Sequence, residues 1–272
     1  MSSFRQKLLN FPYAIWSGIF VAVPLLMVVY YTFTDKSGNF TFDNLKELSN
    51  TAYISVFLYS VWYAFLATVI CLLIAYPLSY IMAKQKPIVQ DTLMILVMLP
   101  MWMNLLIVTY SWREILSNNG IINSFLESLG FEKITMIGTP FAVVLGMVYC
   151  FLPFMILPIF SSMQKLQIDL IEASEDLGAT KLSTLRRVII PLTLPGVISG
   201  ITMVFVPSIS TFYISQKLGN GMIILIGDLI DRQFSVSANY NIGAAISLVM
   251  MILILLSVAV MNRFADDSQG VK

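Results

Sequence analysis

Histidine is absent from the 272 residues, which removes imidazole acid–base catalysis, His-ligated metal sites and His-based pH switching together. Charge is scarce too. Only 11% of the chain is Asp, Glu, Lys or Arg, against about 25% in soluble domains, and 16 cations against 15 anions leave a net charge of +1. No basic field for nucleic acid follows from that balance. The two cysteines, Cys71 and Cys150, sit inside apolar runs and read as small buried hydrophobes, not as a disulfide or metal pair. No Gly-rich phosphate-binding loop ending in Gly-Lys-Ser/Thr occurs, so a nucleotide would have to be hydrolysed on another chain.

What is present is apolar: 58% of the residues are hydrophobic, where about 45–50% is usual. Uncharged runs extend over Phe11–Thr34, Phe57–Ala83, Leu93–Trp112, Phe141–Met163, Leu192–Gln216 and Ile242–Met261. Each is long enough to cross a bilayer as a helix, which takes about 20 residues. The runs lack the alternation of a membrane barrel, so the expectation is an all-α membrane protein with six transmembrane helices. The whole chain, residues 1–272, is expected to form a single transmembrane domain. The first run is too long for a signal-peptide core and is expected to stay in the membrane. Prolines at 24, 77, 100, 153, 158, 195 and 207 fall within or near the spans and read as packing kinks.

An even number of spans puts both termini on one side. The termini and the segments on their side carry Arg5, Lys7, Lys84, Lys86, Lys165, Lys181, Arg186, Arg187, Arg263 and Lys272. The opposite segments carry Lys36, Lys46, Arg113, Lys133, Lys217 and Arg232. Positive charge favours the cytoplasmic side, so both termini are expected there, in a multi-pass protein of the cell membrane in contact with lipid.

The segment Gln164 to Pro191 is the most charged stretch and reads as two short helices. Asp169 is expected to cap the first, with Glu172 reaching back in a capping box. Leu170, Ala173, Ser174 and Leu177 share one face, Gly178 ends the helix in a left-handed conformation, and Thr180 caps the second, whose Leu182, Leu185 and Ile189 run to Pro191. Two uses fit such a hairpin: an amphipathic element on the membrane surface, or a small-residue face seated in a partner's groove.

Glu172-Ala173-Ser174, three residues, Gly178, nine residues, then Val188-Ile189-Ile190-Pro191 resembles the EAA loop of ABC importer permeases. That loop reads Glu-Ala-Ala, three residues, Gly, nine residues, Ile, any, Leu-Pro; Ser174, Val188 and Ile190 are departures conservative in size. Further stretches resemble the spermidine/putrescine permeases of the PotB type: Tyr76-Pro77-Leu78-Ser79-Tyr80, Leu99-Pro100-Met101-Trp102-Met103-Asn104, Leu152-Pro153-Phe154-Met155, Glu175-Asp176-Leu177-Gly178-Ala179, Ile190-Pro191-Leu192-Thr193 and Leu225-Ile226-Gly227. The resemblance implies a type I ABC importer permease with a cytoplasmic coupling helix pair between helices 4 and 5, over residues 164–191. It assigns ATPase coupling to Glu172, Ala173, Ser174, Glu175, Gly178 and Pro191. The implied partners are a homologous second permease (PotC type), two cytoplasmic ATPase subunits (PotA type) and an extracytoplasmic polyamine-binding protein (PotD type). ATP and Mg belong to the ATPase; no cofactor is expected on this chain, which is not itself an enzyme.

By these boundaries the spans hold no Asp, Glu, Lys or Arg, whereas proton-driven carriers commonly carry ionisable groups there. A polycation would then meet aromatic faces and polar oxygens. Trp102, Asn104, Tyr110, Ser210 and Tyr213 are candidates for the substrate pathway, with Glu114, Asp228 and Asp231 near the outer ends. An interfacial aromatic belt is the better account of any single one of Trp102, Tyr110, Trp112 and Tyr213, helix packing accounts at least as well for Asn104, and solvated surface or contact with a substrate-delivering protein accounts equally for the carboxylates. Other functions to weigh are import of another small solute such as thiamine or iron, or a secondary carrier without an ATPase. For a membrane-embedded enzyme no His or intramembrane carboxylate is available.

Overall fold

The computed structural model describes residues 15–269. The expected start of the first span at Phe11 and the cations Arg5, Lys7 and Lys272 lie outside the described residues. Twelve helical elements follow one another in the described chain: α1 (Ile15–Thr32), α2 (Asp43–Glu47), α3 (Thr51–Ala83), α4 (Pro87–Trp102), α5 (Leu105–Leu116), α6 (Ile121–Ser128), α7 (Pro140–Gln164), α8 (Ile168–Asp176), α9 (Lys181–Ser210), α10 (Tyr213–Leu218), α11 (Ile226–Ser235) and α12 (Tyr240–Gln269). Five helices are long and apolar enough to cross a membrane: α1, α3, α7, α9 and α12 through Arg263. The helix α4 and the chain Leu105–Ser128 are together apolar enough for a sixth crossing and meet at a 90° bend, the geometry of a broken span or a re-entrant loop.

That bend corrects the expectation of one straight third helix over Leu93–Trp112. The break is not at a proline. Met103 and Asn104 are extended, and the Asn104 side chain accepts a hydrogen bond from the Leu106 N–H at 2.8 Å. An asparagine that competes this way for backbone donors starts a new helix. The fifth span is also redrawn. It begins at Lys181, not Leu192, and ends at Ser210, not Gln216, because Thr211 is extended and α10 is a separate helix. The second span starts earlier, at Thr51, and the sixth runs from Tyr240.

The chain forms two compact units. The first comprises Met1–Ser55 and Leu229–Leu253. Its α1 ends with carbonyls that have no helical partner, and two asparagines supply donors. Asn44 Nδ2 donates to the Thr32 and Thr34 carbonyls at 2.9 Å each, and Asn241 Nδ2 donates to those of Tyr31 and Thr34 at 3.1 and 2.6 Å. In the following turn Asp35 Oδ1 accepts from the Asn39 and Ser37 N–H groups, and the Asn39 N–H first among its donors holds the Asp35 carboxyl below the usual carboxylate range.

The second unit comprises Val56–Asp228 and Ile254–Lys272, and α7 is its centre. One face of α3 carries Ala64, Ala67, Thr68, Cys71, Ala75 and Ser79, all buried. Side chains this small, three and four residues apart, let two backbones approach closely. Cys71 Sγ lies 3.8 Å from the Val148 carbonyl of α7, and Ser79 Oγ donates to that of Ile156 at 3.4 Å. Cys71 is fully buried, as expected, whereas Cys150 is half-buried; both are free. On α9 the pair Gly196 and Gly200 plays the same part. A Cβ on Gly196 would stand 2.6 Å from the Pro158 carbonyl oxygen, and one on Gly200 would stand 2.7 Å from Met155 Sδ. The outward faces of α3 are apolar and exposed, with Leu58 and Leu73 about two-thirds accessible, as lipid contact requires.

Candidate functional sites: a helical hairpin and a pair of broken helices

The hairpin lies between α7 and α9. After Lys165 the chain turns into α8, which Gln167 precedes without a side-chain cap. Asp169 and Glu172 therefore form no capping box. Asp169 instead lies in the first turn, where the helix dipole favours a carboxylate. The C-terminus is closed as expected: Gly178 has φ +80°, its N–H donates to the Glu175 carbonyl at 2.9 Å, and the Ala179 N–H donates to that of Ser174 at 3.1 Å. These are the two bonds of a Schellman motif. Thr180 caps the next helix, its hydroxyl accepting from the Ser183 N–H. Ser174 and Thr184 hydroxyls, 3.1 Å apart, tie the two arms.

The second arm does not stop at Pro191. It continues through a wide π turn, Leu185–Ile189, into the fifth span, so Pro191 lies inside one continuous helix, directly after the π turn. Ile189 is buried, while Leu182 is exposed, so the expected shared face of the second arm is divided. Between the arms is a groove of about 1020 Å³ lined by Leu170, Ala173, Ser174, Gly178, Val188 and Pro191 among others. Glu172, Glu175 and Asp176 are exposed. Leu177 is 89% exposed at the tip, an apolar side chain the fold itself leaves without cover.

At the far end of α9, roughly 45 Å away along 30 residues of helix, several pathway candidates meet. Ser210 donates to the Val206 and Pro207 carbonyls as the helix ends. The loop Leu225–Gly227 packs onto this break: a Cβ on Gly227 would stand 2.6 and 2.8 Å from the Ser210 and Thr211 carbonyl oxygens. Asp228 is 1% exposed and its Oδ2 accepts from the Leu225 N–H at 3.0 Å, so it is not a solvated surface carboxylate. The Ile226 N–H donates to Ser60 Oγ of α3 at 2.9 Å.

Tyr213 opens α10, and α10 lies against α5, where Tyr110 sits. Between them is a residue the sequence reading passed over. Lys217 Nζ stands 5.1 Å from the Tyr110 ring centroid and 5.5 Å from that of Tyr213, within cation–π range of both. The sequence carries a signal for it, since Tyr213 and Lys217 are one helical turn apart, although by position Lys217 reads as a loop charge. Glu114 follows Tyr110 by one turn and is exposed. Trp102 and Asn104 stand at the α4–α5 break, with Trp102 68% exposed. Asn104 is engaged as the helix cap already described. Trp112 meets Tyr149 of α7 edge-on at 5.2 Å, a packing contact. Asp231, in the first unit, accepts from Ser235 Oγ.

Five apolar helices and one bent pair, with a helical hairpin between α7 and α9, make up a multi-pass helical fold of the type I importer kind. Two crystal structures of bacterial alginate ABC importers show the same fold. One superimposes with a TM-score of 0.79 at 17% identity, covering 98% of this chain and 96% of that one. The other, in complex with a pentasaccharide-bound periplasmic protein, gives 0.83 at 15%, covering 97% and 94%. Residues 75–268 match the family described as binding-protein-dependent transport system inner membrane component, and the chain belongs to that family. Within it, the chain is homologous to the spermidine/putrescine transport system permease protein PotB. It is 38% identical to that of Haemophilus influenzae over 256 residues, 91% of this chain and 90% of the relative. Against that of Escherichia coli K12 it is 39% identical over 246 residues, 88% and 90%.

Proposed function

We propose that this chain is the transmembrane permease subunit of an ATP-driven spermidine/putrescine importer. The observation that carries this reading is the 38–39% identity to spermidine/putrescine permeases along about nine-tenths of the chain. The whole chain acts as one permease domain and forms half of the translocation path, the other half being a homologous second permease. Two cytoplasmic ATPase subunits bind ATP and Mg, and an extracytoplasmic binding protein delivers the polyamine. The excess of Lys and Arg on the hairpin's side of the membrane supports cytoplasmic termini.

The hairpin is the element that meets the ATPase. Glu172 and Glu175 offer exposed carboxylates to basic groups, Ala173, Ser174 and Gly178 keep the surface shallow, and Pro191 sits where the second arm enters the span. Because that arm is continuous with α9, a displacement of the hairpin is passed along one helix to the break at Ser210. There Ser210, Tyr213 and Tyr110, with Glu114 and the Trp102–Asn104 break between α4 and α5, line the path, and Asp228 holds the Leu225 turn behind them; Asp231, in the first unit, is a further pathway carboxylate. Aromatic faces and hydroxyls hold an alkylammonium without trapping it as a carboxylate cage would.

The test is ATP hydrolysis by the complex reconstituted with its binding protein, comparing spermidine, putrescine and an unrelated solute. Stimulation by the polyamines alone is expected. A response to another solute in their place discards the polyamine reading and keeps the importer.

A further inference from the structure

We infer that Tyr110 and Tyr213 form a primary-ammonium site whose resting occupant is the protein's own Lys217, and that a substrate ammonium enters by displacing it. The inference rests on the polyamine reading above.

The lysine side chain is a four-carbon chain ending in an ammonium, which is one end of 1,4-diaminobutane. It reaches from α10 over its own helix neighbour Tyr213 and across to Tyr110 on α5, with the centroids 5.5 and 5.1 Å from Nζ. Two rings from two helices around one alkylammonium is how proteins recognise such cations. Lys217 is half-buried and Tyr110 is 44% exposed, so the ammonium can swing out on its four rotatable bonds and leave the rings to another cation. The surroundings keep the rings in place while it does so. Gly146 of α7 is packed so closely against α10 that a Cβ would stand 2.5 Å from Leu218 Cδ1 and 2.9 Å from Ile214 Cγ2. The Gly138 N–H donates to the Leu218 carbonyl at 2.8 Å at the end of the same helix.

A tethered competitor lowers apparent affinity by the fraction of time it occupies the site. With a cation–π attraction of the size seen at exposed sites, removing it tightens substrate binding roughly threefold to sixfold. The experiment is calorimetric titration of putrescine into the complete permease–ATPase complex in lipid nanodiscs, for wild type, Lys217→Met and Lys217→Arg. Tighter binding by Lys217→Met and wild-type binding by Lys217→Arg are expected, and the gain vanishes when Tyr110→Leu or Tyr213→Leu is added. A gain that persists with Tyr110→Leu means general charge repulsion and overturns the inference; so does unchanged affinity in Lys217→Met. If Lys217→Met fails to assemble, Lys217→Gln, polar and uncharged, gives the same comparison. Binding-protein-dependent ATP hydrolysis by the wild-type complex separates the two levels. Polyamine stimulation together with unchanged Lys217→Met binding overturns only the ammonium site, whereas no response to either polyamine overturns the importer reading and the site with it.

Discussion

Gly178 gives the sharpest test of the hairpin. Its φ of +80° is a conformation that L residues with a Cβ rarely adopt, and an added Cβ would meet nothing within 4 Å. The penalty of a substitution is therefore backbone strain alone. For alanine it is about 1–2 kcal/mol, enough to change the population of the closed turn by a factor of roughly 5 to 30. Valine costs more, since β-branching is poorly tolerated at positive φ. Asparagine, which visits this region readily, costs little. What is lost is the pair of bonds from the Gly178 and Ala179 N–H groups to the Glu175 and Ser174 carbonyls, and with them the angle between α8 and the start of α9. Polyamine-stimulated ATP hydrolysis by purified, assembled complexes should fall in the order Gly178→Asn, Gly178→Ala, Gly178→Val, with coupling abolished in Gly178→Val while the subunit remains inserted. Wild-type coupling in an assembled Gly178→Val complex would refute the argument. Equal damage from Asn and Val would also refute it, because the requirement would then be for a bare surface under a partner and not for a left-handed backbone.

Glu172 is exposed and caps nothing, so Glu172→Ala should leave thermal stability within about 0.5 kcal/mol of wild type while weakening ATPase co-purification or coupled hydrolysis. Unchanged coupling would remove this residue from the interface. Asn104→Ala should destabilise the start of α5 by about 1 kcal/mol, seen as a lower thermal midpoint, and Asn104→Asp should restore it; equal midpoints for Ala and wild type would mean that the cap does not hold the bend. Gly227→Ala drives a Cβ against two backbone carbonyls, at 2.6 and 2.8 Å, which cannot yield as a side chain would. Slower transport is expected with the spans still inserted, and normal transport would show that the Ser210 break tolerates displacement.

Much of this was legible in the chain itself. Helices were dictated because apolar runs in a bilayer must satisfy their own backbone hydrogen bonds, and the Gly178 cap and the Thr180 cap followed from chemistry that acts within four residues. The EAA-type spacing and the stretches from Tyr76 to Gly227 likewise pointed to the family that the comparisons then gave. Tertiary structure alone decided where helices break and what faces what. Hydropathy runs unchanged through Met103–Asn104 and Thr211–Phe212, because breaking a helix there leaves the composition apolar while Asn104 and the carbonyls under Gly227 supply the alternative. The burial of Asp228 depends on a turn folded over the end of α9, and Lys217 became visible only once α10 lay against α5. A charge reads as a loop charge in sequence; whether it meets water or a second aromatic ring beside that of Tyr213 is set by Tyr110, more than a hundred positions away.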